Sequence, residues 1–355
     1  MSRFFSKKYR DLSPYVPGEQ PQNREYCKLN TNESPFPPSP YAQRLAREEI
    51  SKLELYSDPE FRSLRAVMAE KFCTKEENLI FGNGSDEILN FAFAAFCDRG
   101  AVFPDITYGF YPIFAKQNGV PYRTVPLNDD FSIPVQALAD AKETVFLANP
   151  NAPTGIALPL CDIERIVSAD PDRIVVVDEA YVDFGAESAL GLLPKYQNLF
   201  VVGTFSKSRS MAGARLGYGI ASPELICDLE TLRNSSNPYN VNRITMAAGI
   251  GALCDEEYFR ENCEKIMKNR QETAEALKRL GFFVTDSSAN FLFARHPAYS
   301  GESIYRGLKE KGVLIRHFSG ERIKDFNRIT VGSDEQMETL LKALSEIMNN
   351  MEGNL

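Results

Sequence analysis

Seven short apolar runs, "NLIFG", "GAVFP", "PYRTVPL", "TVFLAN", "RIVVVDEA", "LFVVG" and "GYGIA", recur between residues 78 and 221 and are separated by longer stretches with helical spacing. Runs of this length without a polar alternation suit strands buried on both faces. The pattern therefore predicts an α/β fold: a mainly parallel seven-stranded sheet sandwiched by helices. A chain of 355 residues also exceeds what one core usually fills, which implies two unequal domains, and 43% hydrophobic residues are ample to build them.

The flanks differ from this centre. Residues 1–40 are rich in proline, glycine and polar side chains ("SPYVPGEQPQNREY", "NESPFPPSP"), which predicts an extended N-terminal arm. The large α/β domain is expected over 41–240, with residues 59–73 helical and a polar stretch, "NSSNPYNVN", near its end. Residues 241–355 then read as a smaller α+β unit. It starts with one long helix between about Ile244 and Leu280 and continues with strands "FFVTDS" and "NFLFAR", helix "GESIYRGLKEKG", strands "VLIRHF" and "NRITVG", and a closing helix.

Charge narrows the partners. Forty basic and 48 acidic side chains leave a net charge of −8 with no basic block, so nucleic acid is not an expected partner. The seven cysteines are scattered with no C-x-x-C pair, which suits reduced thiols in a cytoplasm, and two histidines do not supply a metal set. The start lacks the apolar core of a signal peptide, and no run approaches a membrane span. The expected place is the cytoplasm, with "RFFSKKYR" as a solvated arm.

In an open α/β sheet, ligands bind beyond the carboxyl ends of the strands. After "NLIF" come Gly82 and Gly84, then Ser85 and Asp86, which open a helix whose free N–H groups either cradle an anion or merely cap a turn. After "TVFLA" come Asn149 and Asn151, ligands or turn formers. After "RIVVV" comes Asp178, with Tyr181 three residues on; after "LFVVG" come Lys207 and, eight residues later, Arg215. Each residue has an ordinary structural reading alone. Together they form one electrostatic design, in which a lysine binds an aldehyde, an aspartate partners a pyridinium nitrogen, and a helix N-terminus with an arginine holds a phosphate. That ligand is pyridoxal phosphate.

The stretches "PYVPGEQ", "LNTNESPFPPSP", "YSDPEFRSLR", "GNGSDEI", "TYGFY", "NPNAPTG", "VVVDEAYVDF", "TFSKSRSMAGARLGY", "ANFLF", "GVLIRHF" and "NRITVGS" run nearly end to end. In their order and spacing the chain resembles the fold-type-I pyridoxal-phosphate enzymes of the aspartate aminotransferase kind, and within them the histidinol-phosphate aminotransferases. The resemblance implies that Lys207 bonds the cofactor's aldehyde, Asp178 partners its ring nitrogen, and Tyr181 donates to its phenolic oxygen. It implies a phosphate held by the backbone of Ser85 and Asp86 beside Gly84, by Ser206 and Arg215, with Thr204 nearby. Tyr108 would stack on the ring, and Tyr56 would reach the cofactor of a second subunit in a homodimer with shared sites. Arg328, with Arg316, Tyr15 and Asn290, would hold the substrate. One position departs from the family: the asparagine before "PTG" is Ala152 here, so either Asn151 replaces it or Tyr181 acts alone.

The activity implied is transfer of an amino group from histidinol phosphate to 2-oxoglutarate, both small molecules. A threonine-phosphate decarboxylase or an aromatic amino acid aminotransferase would share the cofactor site. A non-catalytic module binding a phosphorylated metabolite through "GNGSDE" stands as the reading from another class; no G-x-x-x-x-G-K-[ST] loop supports it.

Overall fold

The computed structural model of the chain describes residues 2–10 and 12–352. Its arm is extended but carries one short strand, β1 (Cys27–Lys28). Two helices follow, α1 (Pro40–Glu49) and α2 (Arg62–Lys71). Periodicity alone assigns no helix before Ser57, yet α1 has the expected start signal in "SP": Ser39 Oγ accepts the Ala42 N–H at 3.1 Å and Pro40 fills the first turn.

All seven apolar runs are strands of one sheet: β2 (Leu79–Asn83), β3 (Ala101–Pro104), β4 (Tyr122–Val125), β5 (Thr144–Ala148), β6 (Val175–Asp178), β7 (Leu199–Thr204) and β8 (Leu216–Ile220). Their order is β2-β8-β7-β6-β5-β3-β4, and β8 alone runs against its neighbours. The other ladders are parallel. Helices α3 (Ser85–Phe96), α4 (Tyr111–Asn118), α5 (Val135–Ala139), α6 (Leu160–Ser168) and α7 (Pro223–Ser236) cover the sheet. Successive strand residues feed opposite faces. Phe103, Phe146, Val176 and Phe200 pack under α3, α4 and α7, whereas Val102, Val145, Val177 and Val201 pack under α5 and α6.

The long helix expected over 244–280 is two helices, α8 (Arg243–Cys254) and α9 (Glu256–Arg279), broken at Asp255, which has φ −100° and ψ 67°. The two meet different surroundings. Met246, Ala248 and Ala252 of α8 pack with α1, α2 and the β2 and β8 side chains, while Cys263, Ile266 and Leu277 of α9 pack with the C-terminal unit. That unit comprises β9 (Phe283–Val284), β10 (Phe291–Arg295), α10 (Gly301–Glu310), β11 (Val313–Leu314), β12 (Arg316–His317), β13 (Phe326–Thr330) and α11 (Asp334–Glu352). The run "VLIRHF" divides at Ile315: β11 pairs in parallel with β1 of the arm, and β12 joins the antiparallel order β12-β13-β10-β9. Among the described residues no helix is long and apolar enough to cross a membrane.

Helices α1 and α8 meet at Gly251, where a Cβ would lie 2.5 Å from Ala42 Cα and 2.7 Å from Ala42 N. Gly→Ala in an unobstructed helix stabilises by about 1 kcal/mol. Here the added methyl meets backbone, so Gly251→Ala is expected to destabilise by roughly 1–3 kcal/mol, as overpacking does. The measurement is the urea midpoint of the purified variant; a rise would show that the two helices do not approach this closely.

Candidate active site

Strand ends converge on a cavity of about 330 Å³, lined among others by Thr31, Ser85, Tyr108, Asp178, Tyr181 and Lys207. The topology explains the convergence. β5, β6 and β7 present Ala148, Asp178 and Thr204 at one edge, and β2 delivers Asn83 and then Gly84 there. Because β8 is antiparallel it begins where the others finish, which brings Arg215 to the same edge.

Asp178 forms the floor. It is 5% exposed; Tyr111 Oη donates to its Oδ2 at 3.1 Å and the Ala180 N–H to its Oδ1 at 3.2 Å. Burial pushes its pKa up to about 6, against the lowering effect of those two donors. Of the charged groups acting on it, Asp86 raises its pKa and Lys207 lowers it, and neither outweighs burial. Lys207 comes from the loop after β7; its Nζ lies 3.4 Å from the Thr31 carbonyl oxygen, to which it donates, and 5.8 Å from the centre of the Tyr181 ring. The loop is tied down on both sides of the lysine, by Ser206 N–H donating to Thr204 Oγ1 at 3.1 Å and by Ser208 Oγ donating to Asp183.

At the other end, Gly84 caps α3 with φ 82°, and a Cβ there would fall 2.3 Å from Arg215 Nη2. Only glycine fits this conformation beside the guanidinium. Asp86 turns its carboxylate to Arg215 Nη2 (3.0 Å) and to the Tyr108 hydroxyl, which donates at 2.6 Å. What α3 offers an anion is therefore its free N–H groups, flanked by Arg215 and the Ser206 hydroxyl. Tyr108 keeps its proton firmly: burial and the neighbouring Asp86 raise its pKa well above the ordinary value.

A second cavity, about 420 Å³, adjoins the first and shares Tyr108 and Ala152 with it. Tyr15, Arg316 and Arg328 line it. Arg316 and Arg328 are cross-strand partners of β12 and β13. Like charges opposite one another are unfavourable, and burial lowers the pKa of Arg328 from its ordinary value. Arg328 Nη2 donates to the Asn30 carbonyl at 3.2 Å, but its buried Nε has no partner among the described residues. Arg316 donates to the carbonyls of Val16 (3.0 Å) and Pro17 (3.1 Å) of the arm, and Tyr15 stacks on Phe110.

Of the residues singled out from sequence, Gly82, Gly84, Asn149, Asn151, Asn290 and Tyr56 line neither cavity. Asn151, one alternative for the cofactor contact vacant at Ala152, is buried in its own loop, bonded to Thr107 Oγ1 (2.9 Å), the Ile106 carbonyl (3.0 Å) and Thr154 Oγ1 (3.1 Å). Ala152 lines the cavity in its place. Asn290 is fully buried behind the site, donating to the Asn32 carbonyl at 3.0 Å. Tyr56 is 80% exposed and stacks on Tyr239 at 4.5 Å. Sequence reasoning missed Tyr111, Thr31 and Glu33. Tyr111 follows Tyr108 by three residues in "TYGFY", the one available signal; the other two lie in an arm without periodicity.

The raised pKa of Asp178 sets a pH dependence. Its unfolded carboxyl titrates near 3.8, the folded one at about 6, so within that window the folded state holds a proton the unfolded chain has released. Stability falls as pH rises through the window, by on the order of 2–3 kcal/mol at its upper end. Asp178→Asn in the cofactor-free protein is therefore expected to be more stable than the parent at pH 7, with the advantage vanishing towards pH 4. Urea midpoints of the two proteins across this range check it.

The profile of the family "Aminotransferase class I and II" matches residues 24–344. A histidinol-phosphate aminotransferase of Syntrophus aciditrophicus (strain SB) is 47% identical over 351 residues, 96% of this chain and 97% of that protein. One from Brachyspira hyodysenteriae is 44% identical across 99% of this chain and 100% of its own length. The crystal structure of histidinol-phosphate aminotransferase from Sinorhizobium meliloti in complex with pyridoxal-5'-phosphate superposes with a TM-score of 0.90 at 26% identity, covering 99% of both chains. With a lysine and a buried aspartate facing one cavity at the strand ends, and with relatives matched over essentially the whole length, the chain belongs to the class I and II aminotransferases.

Proposed function

We propose that the protein is a pyridoxal-phosphate-dependent aminotransferase that moves an amino group from histidinol phosphate to 2-oxoglutarate, working in the cytoplasm as a homodimer. The observation that carries this reading is the juxtaposition of two cavities, one joining Lys207 to buried Asp178, the other walled by the arginine pair Arg316 and Arg328. The residues fit the cofactor: a side chain at Gly84 would fill the anion cradle beside Arg215, and Asp178 is a buried carboxylate whose charge burial disfavours and a ring cation would stabilise.

When bound, pyridoxal phosphate supplies an aldehyde that links to amines and a ring that takes up electrons from a deprotonated carbon. Lys207 would hold the aldehyde, and its Nζ, once displaced by the substrate's amine, would take the proton from the substrate α-carbon. Asp178 would keep the ring nitrogen protonated, and that cation would return its own pKa towards the ordinary range. Tyr181 would donate to the phenolic oxygen and Tyr108 would pack on the ring face. The N–H groups of Ser85 and Asp86, the Ser206 hydroxyl and Arg215 would hold the phosphate, with Thr204 fixing Ser206.

Arg316 and Arg328 would bind the phosphate of one substrate and a carboxylate of the other, since both present oxygens to a planar guanidinium. The homodimer is supported by an exposed apolar patch, Ile50, Leu53, Leu55, Tyr56 and Tyr239. Beside it lies a cavity of about 490 Å³ that includes Leu53 and shares Gly213 and Arg215 with the Lys207 cavity. A second copy seated there would bring its Tyr56 towards the phosphate end.

The test mixes protein with histidinol phosphate and 2-oxoglutarate, then with threonine phosphate and with phenylalanine. Glutamate formed in step with a ketone from histidinol phosphate, at the highest kcat/KM, is the expected result; carbon dioxide release would point to decarboxylation instead. Lys207→Ala should lower kcat by roughly 10⁴-fold or more, at or beyond the upper end for loss of a general base. Borohydride should bleach the parent's yellow colour and leave a label on Lys207; transamination by Lys207→Ala at parental speed would overturn the reading.

A further inference from the structure

Asn32 sits between β1 and α1, 1% exposed, with φ 55°, a left-handed conformation that asparagine tolerates better than most residues. Its neighbours Thr31 and Glu33 line the Lys207 cavity. Its own side chain points the other way along a buried network. Thr330 Oγ1 accepts the Asn32 backbone N–H at 2.9 Å, and lies 3.1 Å from Asn32 Oδ1. A buried hydroxyl that already accepts a bond still needs an acceptor for its own hydrogen, and Asn32 Oδ1 is the one that takes it. That bond fixes which way the amide faces. Asn32 Nδ2 is left to donate to the Tyr181 hydroxyl oxygen at 3.0 Å.

The consequence falls on Tyr181. An oxygen that accepts an N–H on one side directs its own hydrogen elsewhere, and Tyr181 lines the cavity that Lys207 enters. The asparagine that the family resemblance leads one to expect before "PTG" is Ala152 here, and Asn151 is engaged by Thr107 and the Ile106 carbonyl. We propose that Asn32 is a positioning residue, which orients the Tyr181 hydroxyl towards the cofactor's phenolic oxygen and so supplies through the tyrosine the polarisation that Ala152 cannot give. The inference rests on the cofactor reading above. The backbone is committed to the same purpose: Asn290 Nδ2 holds the Asn32 carbonyl at 3.0 Å. The preceding carbonyls of Thr31 and Asn30 meet Lys207 and Arg328.

A donor on the phenolic oxygen draws charge away from the proton on the nitrogen that Lys207 contributes. Weakening that donor makes the proton harder to remove, so the pH at which the bound cofactor's visible absorbance changes should rise. The experiment titrates this absorbance in the cofactor-loaded parent, Asn32→Gly, Tyr181→Phe and the double variant. Glycine is chosen because it adopts the positive φ without strain. Loss of one neutral hydrogen bond predicts that Asn32→Gly raises the midpoint by about half to one pH unit and lowers kcat by roughly 3–10-fold. Tyr181→Phe should shift further in the same direction, and adding Asn32→Gly to it should shift nothing more.

An unmoved midpoint in Asn32→Gly, or shifts that add in the double variant, would overturn the proposal while leaving the aminotransferase reading intact. A parent protein that takes up no pyridoxal phosphate would sink that reading and this inference with it. Should Asn32→Gly not fold, Thr330→Val, which frees the amide to rotate while keeping the strand residue's shape, is titrated in its place against the same criteria.

Discussion

Asp178 brings a carboxylate to the floor of the sheet's carboxyl edge, where Tyr111 and one backbone N–H are its hydrogen-bond donors. Neither donor carries a charge, so burial dominates and the group is held well above the ordinary carboxylate range. Leaving an anion in that state is unfavourable for the folded chain by itself. The arrangement makes sense if a cation completes it, which ties the cost of the empty site to the affinity for what fills it. Everything else at the edge is placed with respect to this floor: Lys207 on the loop after β7, Tyr181 just past β6, and the α3 N-terminus opposite.

The geometry depends on one reversal in the sheet. A fully parallel sheet would deliver only the segments that follow its strands, whereas Arg215 immediately precedes one. Running β8 antiparallel between β2 and β7 makes its first residues face the same edge, with Gly217 opposite Thr204 and Gly82. The glycines of "LGYGI" let this strand lie close, since a Cβ at Gly217 would meet the Ser85 N and Gly84 C atoms within 2.4 Å. Close approach at that point presses the anion cradle against the strand that carries its arginine.

Much of this was legible in the sequence, and the reason is physical. Strands buried on both faces read as unbroken apolar runs, so all seven sheet strands stand out, and the residues following them are where an open α/β sheet binds ligands. Lys207, Asp178 and Arg215 could be singled out on that ground. The arm could not be read in the same way. Its residues 27–33 have no period of two or 3.6, because each one answers to a different partner: β11 for Cys27 and Lys28, Arg328 for Asn30, Lys207 for Thr31, Tyr181 and Thr330 for Asn32. Long-range contacts of this kind leave no local signal. The split of "VLIRHF" and the break at Asp255 were hidden for a related reason, since an apolar run does not say which of two partners takes each half.

The arginine pair shows the same logic at the second cavity. Cross-strand register sets Arg316 opposite Arg328, and two guanidinium groups in a partly buried wall repel one another. The arm relieves part of this by turning carbonyls of Val16, Pro17 and Asn30 towards them, which are dipoles and not charges. The Nε of Arg328 still has no partner among the described residues. A buried donor without an acceptor is uncommon enough to require a reason, and under the proposed function that reason would be an incoming anion with several oxygens to share. The two ends of the site are thus complementary in charge: a buried carboxylate held above its ordinary range beneath the first cavity, and a pair of guanidinium groups in the wall of the second.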